Sequence, residues 1–240
     1  MDSLARIPNI AAGEVARDGD VVRVTGVPYL AHGVLVPAAE IYFDGEVRPK
    51  QAGPWLGEAD KVAWRDPATG YQCIILRARP GGFLGGYVGV PSDHPLHEFA
   101  ADAIPGDLGV EVHGGVTYAA MCQDGPTPQP RLRYEARRLC HVVVGDPTIT
   151  DGTDYGIEDH HAWWFGFTCD HIADVVPGDP GHSRRGAALG FAQTYRDDAY
   201  VYAEVVSLAA QLRAIAEGKP APPRDGPPLP PLYFDPRSVS

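Results

Sequence analysis

The 240-residue chain lacks the patterns that identify several common classes of protein. None of its cysteines forms a CxxC pair, so zinc ribbons and thioredoxin-like motifs are unsupported. No apolar run approaches a membrane span, and the segment from Met1 to Glu14 has no basic region followed by an apolar core. These absences predict a cytoplasmic protein that does not enter a membrane. They also predict reduced thiols, mostly in the core, at Cys73, Cys122, Cys140 and Cys169.

Positive charge is scarce as well. The chain has 20 Lys and Arg against 31 Asp and Glu, which gives a formal net charge of −11. Because affinity for nucleic acids depends largely on basic side chains that neutralise phosphates, a nucleic acid is not expected as a partner. The hydrophobic share of 44% and the charged share of 21% are ordinary for a globular chain, and the length is ample for a core.

Short strands and turns are predicted for the first part of the chain. Aspartate-glycine pairs lie between apolar runs at Asp18-Gly19 and at Asp44-Gly45. Such pairs are the strongest short-range sequence signal of a β-hairpin. Residues 1–69 are therefore predicted to form a β-rich N-terminal extension or lobe, or else an edge of the main sheet.

Residues 70–217 are predicted to form an α+β core, in a single domain with a mixed or antiparallel sheet. The strands are expected at residues 71–77, 83–90, 110–112, 117–119, 141–144 and 163–167. A short helix is expected near residues 92–100, and a surface connection over residues 178–190.

A long helix is predicted from about Asp198 to Ala216 and is expected to pack on the sheet. Its apolar residues recur at spacings of three and four: Val201, Val205, Leu208, Leu212 and Ile215. Eight prolines then lie between Pro220 and Pro236, so residues 218–240 are predicted to be a Pro-rich extended tail. Such a tail can lie on its own protein or on a sister subunit, which would make a homo-oligomer. Docking into an SH3-type groove is a less favoured alternative.

Polar side chains follow two apolar segments of the chain. Catalytic and binding residues are often found at such positions, in the loops that follow regular structure. The aromatic run at residues 163–167 is followed by Cys169, Asp170, His171 and Asp174, and His113 is followed at once by two glycines. His113, His171 and Asp174 are ligand types that suit zinc, iron or manganese, so a divalent metal site is one interpretation. A buried histidine bonded to a carboxylate would look the same in sequence.

Further residues are candidates for supporting roles. Asp170 adds a carboxylate beside the predicted site, and Glu204 would become a general base or a partner for a histidine if it faces inward. A binding pocket is the other interpretation of the same region, because glycines over residues 83–90 leave room for a ligand. Its expected lining is Tyr118, Trp163, Trp164 and His94.

These segments together resemble a family of uncharacterised proteins found in bacteria and their phages. The resemblance covers about residues 70–213 and rests on the motifs GYVGVP (86–91), His94-Pro95, VHGGVTY (112–118), WWFGF (163–167), Cys169, His171, Asp174 and a helix containing residues 200–212. Asp170 departs from the pattern, which has a small residue after the cysteine. The family has no established activity, so the resemblance implies where a site lies and leaves its reaction open.

Two functions are therefore expected from the sequence. The first is a hydrolase that acts on a small polar or phosphorylated substrate, in which His113, His171 and Asp174 bind a metal or serve as acid and base. The second is a non-catalytic module of phage or bacterial origin that binds a small ligand or another protein.

Overall fold

A computed structural model describes residues 6–8, 10–122, 132–140 and 161–226. Its strands are β1 (Glu14–Asp18), β2 (Val21–Thr25), β3 (Tyr29–Ala31), β4 (Val34–Val36), β5 (Glu40–Asp44), β6 (Lys61–Arg65), β7 (Gln72–Arg77), β8 (Leu84–Val90), β9 (Tyr118–Met121) and β10 (Trp163–Thr168). Its α-helices are α1 (Leu132–Glu135), α2 (Pro180–Ala188) and α3 (Asp198–Ala216). Three-residue 3-10 helices lie at Ile10–Ala12, Ala101–Ala103 and Gly106–Leu108.

Eight of these strands form one antiparallel sheet in the order β1-β2-β5-β6-β7-β8-β10-β9, and β3 and β4 form a separate hairpin. The predicted α+β fold is therefore confirmed, with an antiparallel sheet. Strands from residues 14–65 pair directly onto those from residues 72–168, so the sheet does not divide at residue 69. Within the described residues, no helix is both long and apolar enough to cross a bilayer.

One of the two predicted hairpins forms and the other does not. Gly19 and Asp20 join β1 to β2, and Gly19 adopts a positive φ of 58° that suits this tight turn. After β5, however, residues 46–48 form a turn rather than a strand. The reason is that Arg48 turns inward, where its guanidinium donates to Asp60 over 2.9 Å and to the carbonyl of Glu58 over 3.2 Å.

The long helix α3 packs on one face of the sheet, as predicted. Asp197 caps it by accepting a hydrogen bond of 2.8 Å from the backbone N–H of Tyr200. All five residues of the predicted apolar stripe are buried. Gly86 of β8 allows the close approach, because a Cβ there would lie 2.4 Å from a methyl group of Val205. Each buried aliphatic side chain of this kind contributes roughly 1.5–3 kcal/mol to stability.

Several other local predictions are wrong. Residues 92–100 form successive turns instead of a helix, because the imidazole of His94 accepts from the N–H of Leu96 and holds the chain out of helical geometry. Residues 110–112 are not a strand, since the amide of Gln211 bonds both the N–H and the carbonyl of Glu111. The connection at residues 178–190 contains α2, which Asp179 caps. The strand predicted at residues 141–144 lies outside the described residues.

The cysteine prediction is wrong for one pair. Cys122 and Cys140 form a disulfide between Cα atoms 4.7 Å apart, whereas Cys73 and Cys169 are free and buried. Disulfides are rare in cytosolic proteins, so this bond counts against a cytoplasmic location, which stays a prediction.

An ion-pair network is buried between the sheet and the start of α3. The Arg77 guanidinium donates to the carboxylates of Glu58 and Asp60, over 2.8 Å in each case, and none of the three side chains is more than 1% exposed. Removing one partner of a buried pair leaves an uncompensated charge in the core, which is more costly than the pair itself is stabilising.

We expect Arg77→Met to lower the free energy of unfolding by about 3–5 kcal/mol, because Glu58 loses its buried counter-charge and Asp60 keeps only that of Arg48. Urea unfolding followed by circular dichroism measures the change. Arg213→Met is the matched control, since its ion pair with Glu217 lies on the surface and its loss should leave the midpoint nearly unchanged. Equal effects of the two substitutions would contradict this account of the network.

Candidate functional site

His113 is fully buried between the sheet and α3, and its two ring nitrogens and its backbone N–H all have hydrogen-bond partners. Its Nε2 lies 2.8 Å from Oδ2 of Asp174, and its Nδ1 lies 2.9 Å from the hydroxyl of Tyr200. Its backbone N–H donates to Glu204 over 3.0 Å. A neutral imidazole can satisfy both ring contacts, donating from Nε2 to the carboxylate and accepting from the tyrosine at Nδ1.

Asp174 is the centre of this cluster. Its Oδ1 accepts from Nε of Arg196 over 2.8 Å, and its Oδ2 accepts from the backbone N–H of His171 over 3.0 Å as well as from His113. Burial raises the pKa of the Asp174 carboxyl, but its interactions with His113 and with the Arg196 guanidinium outweigh burial and lower the pKa below its usual range. The group is therefore a buried carboxylate.

His171 lies beside this pair without a side-chain partner. Its ring centroid is 5.3 Å from that of His113. The ring is half-buried, and its Nε2 is enclosed with no hydrogen-bond partner in the described part of the chain. Burial lowers the pKa of His171, and the neighbouring His113 lowers it further, so the imidazole is neutral at pH 7. His182 donates to the carbonyls of His171 and Asp174 and thereby fixes the loop.

Gly114 makes room for the His171 ring. A Cβ at this position would lie 1.8 Å from Nε2 of His171, and the backbone has a positive φ of 66°. Of the two glycines that follow His113 in the sequence, Gly114 is the one that lets His171 approach closely. By contrast, a Cβ on Gly115 would meet no heavy atom within 4 Å.

The two supporting carboxylates have different environments. Glu204 faces inward and is fully buried, where it pairs with Arg224 and accepts from the backbone of His113 rather than from its ring. Asp170 is exposed and accepts a hydrogen bond of 2.7 Å from the Thr168 hydroxyl. Glu204 therefore holds the segment that carries His113, and Asp170 lies at the surface beside His171.

The sheet separates the four residues expected to line a pocket. Trp163 packs with the core under α3 and donates to the carbonyl of Phe99 over 3.0 Å, whereas Trp164 and Tyr118 pack in the core on the opposite face. Adjacent strand residues point to opposite faces, which accounts for the division. His94 lines a separate surface pocket, and both its ring nitrogens are bonded to backbone atoms.

A group of side chains of the types that bind metals lies away from the predicted metal site, which stays a prediction. Among the described residues, the set of three ligand side chains whose donor atoms all lie within 4.8 Å of one another is His32, Asp197 and Asp198. His113, His171 and Asp174 lie close together but do not meet this criterion. Sequence analysis missed the new set because His32 is far from α3 in the chain; only the two aspartates at the start of the helix were recognisable.

Comparisons with protein-family models, with curated proteins and with solved structures find no match to this chain. The resemblance to a bacterial and phage family thus stays a prediction. Any function must rest on the contacts of the residues themselves.

We expect Gly114→Ala to destabilise the protein more than Gly115→Ala does. Both positions have a positive φ, so both substitutions carry a backbone cost on the order of 1 kcal/mol. Only the methyl group at position 114 would collide with the His171 ring. The melting temperatures of the two variants, compared with that of the parent, test this. Equal decreases in melting temperature would show that the His171 ring can move aside without cost.

Asp174→Asn is expected to remove a stabilising contribution that depends on pH. Because the folded-state pKa of Asp174 is lowered, its stabilisation is fully present above the unfolded value of about 3.9 and is lost as the pH falls through the folded value. The variant should lose about 3–5 kcal/mol at pH 7, and its difference from the parent should shrink below about pH 4. Urea unfolding over a pH series measures this. Asp170→Asn controls for an exposed neighbour, and a pH-independent difference for Asp174→Asn would refute the assignment.

Proposed function

We propose that the protein is a hydrolase in which His171 is the general base and the substrate is small and polar or phosphorylated. The observation that carries this proposal is the state of the His171 ring. It is half-exposed, its pKa is lowered, and it forms no hydrogen bond with the described residues, although it lies against a fully bonded histidine–aspartate pair. A neutral, unpartnered imidazole near the surface is suited to take a proton from water.

His113 and Asp174 would then be positioning residues. Both nitrogens of His113 are already bonded, so His113 has no ring atom left for a substrate. Asp174 accepts from the backbone N–H of His171 and so fixes where the imidazole lies. The buried ion pair with Arg196 holds Asp174 itself. The exposed carboxylate of Asp170 could orient a polar group of the substrate or a water molecule beside the base.

The reaction would proceed by general base catalysis. Nε2 of His171 is enclosed, so Nδ1 is the nitrogen that would accept a proton from water. The water oxygen would attack the carbonyl or phosphoryl centre as this proton leaves. The imidazolium would then return the proton to the departing oxygen or nitrogen, which restores the neutral ring. General base catalysis of this kind contributes about 10²–10⁴-fold to the rate.

A non-catalytic binding module is the second candidate, and one observation favours it. The buried polar groups at the centre of the cluster bond one another: His113 to Asp174, and Glu204 to Arg224. Such saturation is typical of a polar network that fixes a fold. Under this alternative, substitution of His171 would leave ligand binding largely intact, whereas substitution of Tyr118 or Trp163 would weaken it.

We expect the purified protein to hydrolyse p-nitrophenyl acetate or p-nitrophenyl phosphate, with His171→Ala lowering kcat about 10²–10⁴-fold. The rate should fall with decreasing pH, at a pH below the value of about 6.5 for a free imidazole, because burial lowers the pKa of His171 and the base is protonated only below that pKa. His161→Ala is the matched control, since His161 is exposed at the other end of β10. His171→Gln, checked by its melting temperature, separates loss of the base from loss of the fold. No turnover of either ester, or full activity in both His171 variants, would reject the proposal.

A further inference from the structure

A second polar cluster lies at the N-terminus of α3. Nδ1 of His32 is 2.5 Å from Oδ1 of Asp198, 3.8 Å from Oδ2 of Asp197 and 3.6 Å from Oε1 of Glu58. We propose that His32, Asp197 and Asp198 form a binding site for a divalent transition-metal ion such as Zn²⁺ or Mn²⁺. One imidazole and two carboxylates are the ligand types that these ions accept.

The outer contacts of the two aspartates orient one oxygen of each towards His32. Oδ1 of Asp197 accepts from the N–H of Tyr200 and caps the helix, while Oδ2 faces the imidazole. Oδ2 of Asp198 accepts from the hydroxyl of Tyr29 over 2.5 Å, while Oδ1 faces the imidazole. Ligand carboxylates in metal sites are held by further hydrogen bonds in the same manner. Oδ2 of Asp197 and Oδ1 of Asp198 therefore both face Nδ1 of His32, and a bound ion would replace the direct hydrogen bond between His32 and Asp198.

The third ligand comes from the hairpin that β3 and β4 form. His32 lies at the turn of this hairpin, and Tyr29 of β3 ties the hairpin to Asp198. The side chains of His32 and Asp197 are 30% and 34% exposed, whereas that of Asp198 is 1% exposed. An ion can thus enter from solvent beside His32 and Asp197 and bind against the buried Asp198. Three protein ligands leave coordination positions for water.

The cluster already attracts a cation. The Arg6 guanidinium lies 3.1 Å from both nitrogens of His32 and from Oδ2 of Asp198. It stands in for the positive charge that the proposed ion would supply. The carboxylate of Glu58 lies on the buried side of the cluster, with its Oε1 3.6 Å from Nδ1 of His32. Arg77 pairs with Glu58 and Arg6 pairs with Oδ2 of Asp198, whereas Oδ1 of Asp198 faces Nδ1 of His32.

The site can be tested with the full chain, purified without a His-tag and stripped with a chelator. Titration calorimetry with ZnCl₂ and with MnCl₂ should give one tight site for at least one of the two ions. The same ion should raise the melting temperature, since it binds only the folded protein. Asp197→Asn keeps a helix cap but removes a ligand charge, and should weaken binding at least tenfold. His32→Ala should do the same.

Asp179→Asn is the matched control, because Asp179 caps α2 in the same way and the same substitution there should leave metal affinity unchanged. His171→Ala should also bind the ion normally, so failure of the proposed hydrolase and failure of this site are distinguishable. Absence of binding by both ions, or unchanged affinity in both Asp197→Asn and His32→Ala, would overturn the proposal.

Discussion

The docking of α3 on the sheet is the interaction on which both polar clusters depend. Its apolar stripe fixes the helix against β7 and β8, and Gly86 brings the two backbones close. With the helix in place, its first turns carry polar side chains into the interior. Tyr200 and Glu204 reach the segment that holds His113, while Asp198 reaches the β3–β4 hairpin. A hydrophobic contact thus positions groups that no local sequence preference could place.

Burying the carboxylates of the two clusters is costly in free energy, and each buried carboxylate is paired with an arginine that offsets this cost. Asp174 is matched by Arg196, Glu204 by Arg224 and Glu58 by Arg77. A buried ion pair contributes little net stability compared with a well-packed apolar core, but breaking one is expensive. The pairs are therefore better understood as constraints on geometry. They allow one arrangement of His113, Asp174 and His171 and penalise the others.

Local patterns were sufficient for much of the fold. Helical periodicity located α3, and apolar runs located β7, β8, β9 and β10. The failures occurred where a side chain competes with regular structure. Gln211 replaces a neighbouring strand at Glu111, and Arg48 draws the chain after β5 inward. Such contacts depend on residues far away in the sequence, so no local sequence pattern predicts them.

The candidate site was predictable to a similar extent. His113 precedes β9 and His171 follows β10, and these two ends lie side by side because β9 pairs antiparallel with β10 and Thr117 bonds to Gly166. Their proximity followed from that pairing. The bonding of His113 by Tyr200 and Asp174 did not, because it requires α3 and the loop after β10 to converge on one ring. His32 was beyond reach for the same reason, since only the tertiary fold brings the β3–β4 turn to the helix cap.

Three consecutive residues connect the two clusters. Arg196 binds Asp174, Asp197 caps α3, and Asp198 contacts His32 and Tyr29. This short segment therefore has buried partners in both clusters, Asp174 on one side and Tyr29 on the other. The start of one helix thus supplies contacts to both, and the position of α3 on the sheet determines where each cluster lies.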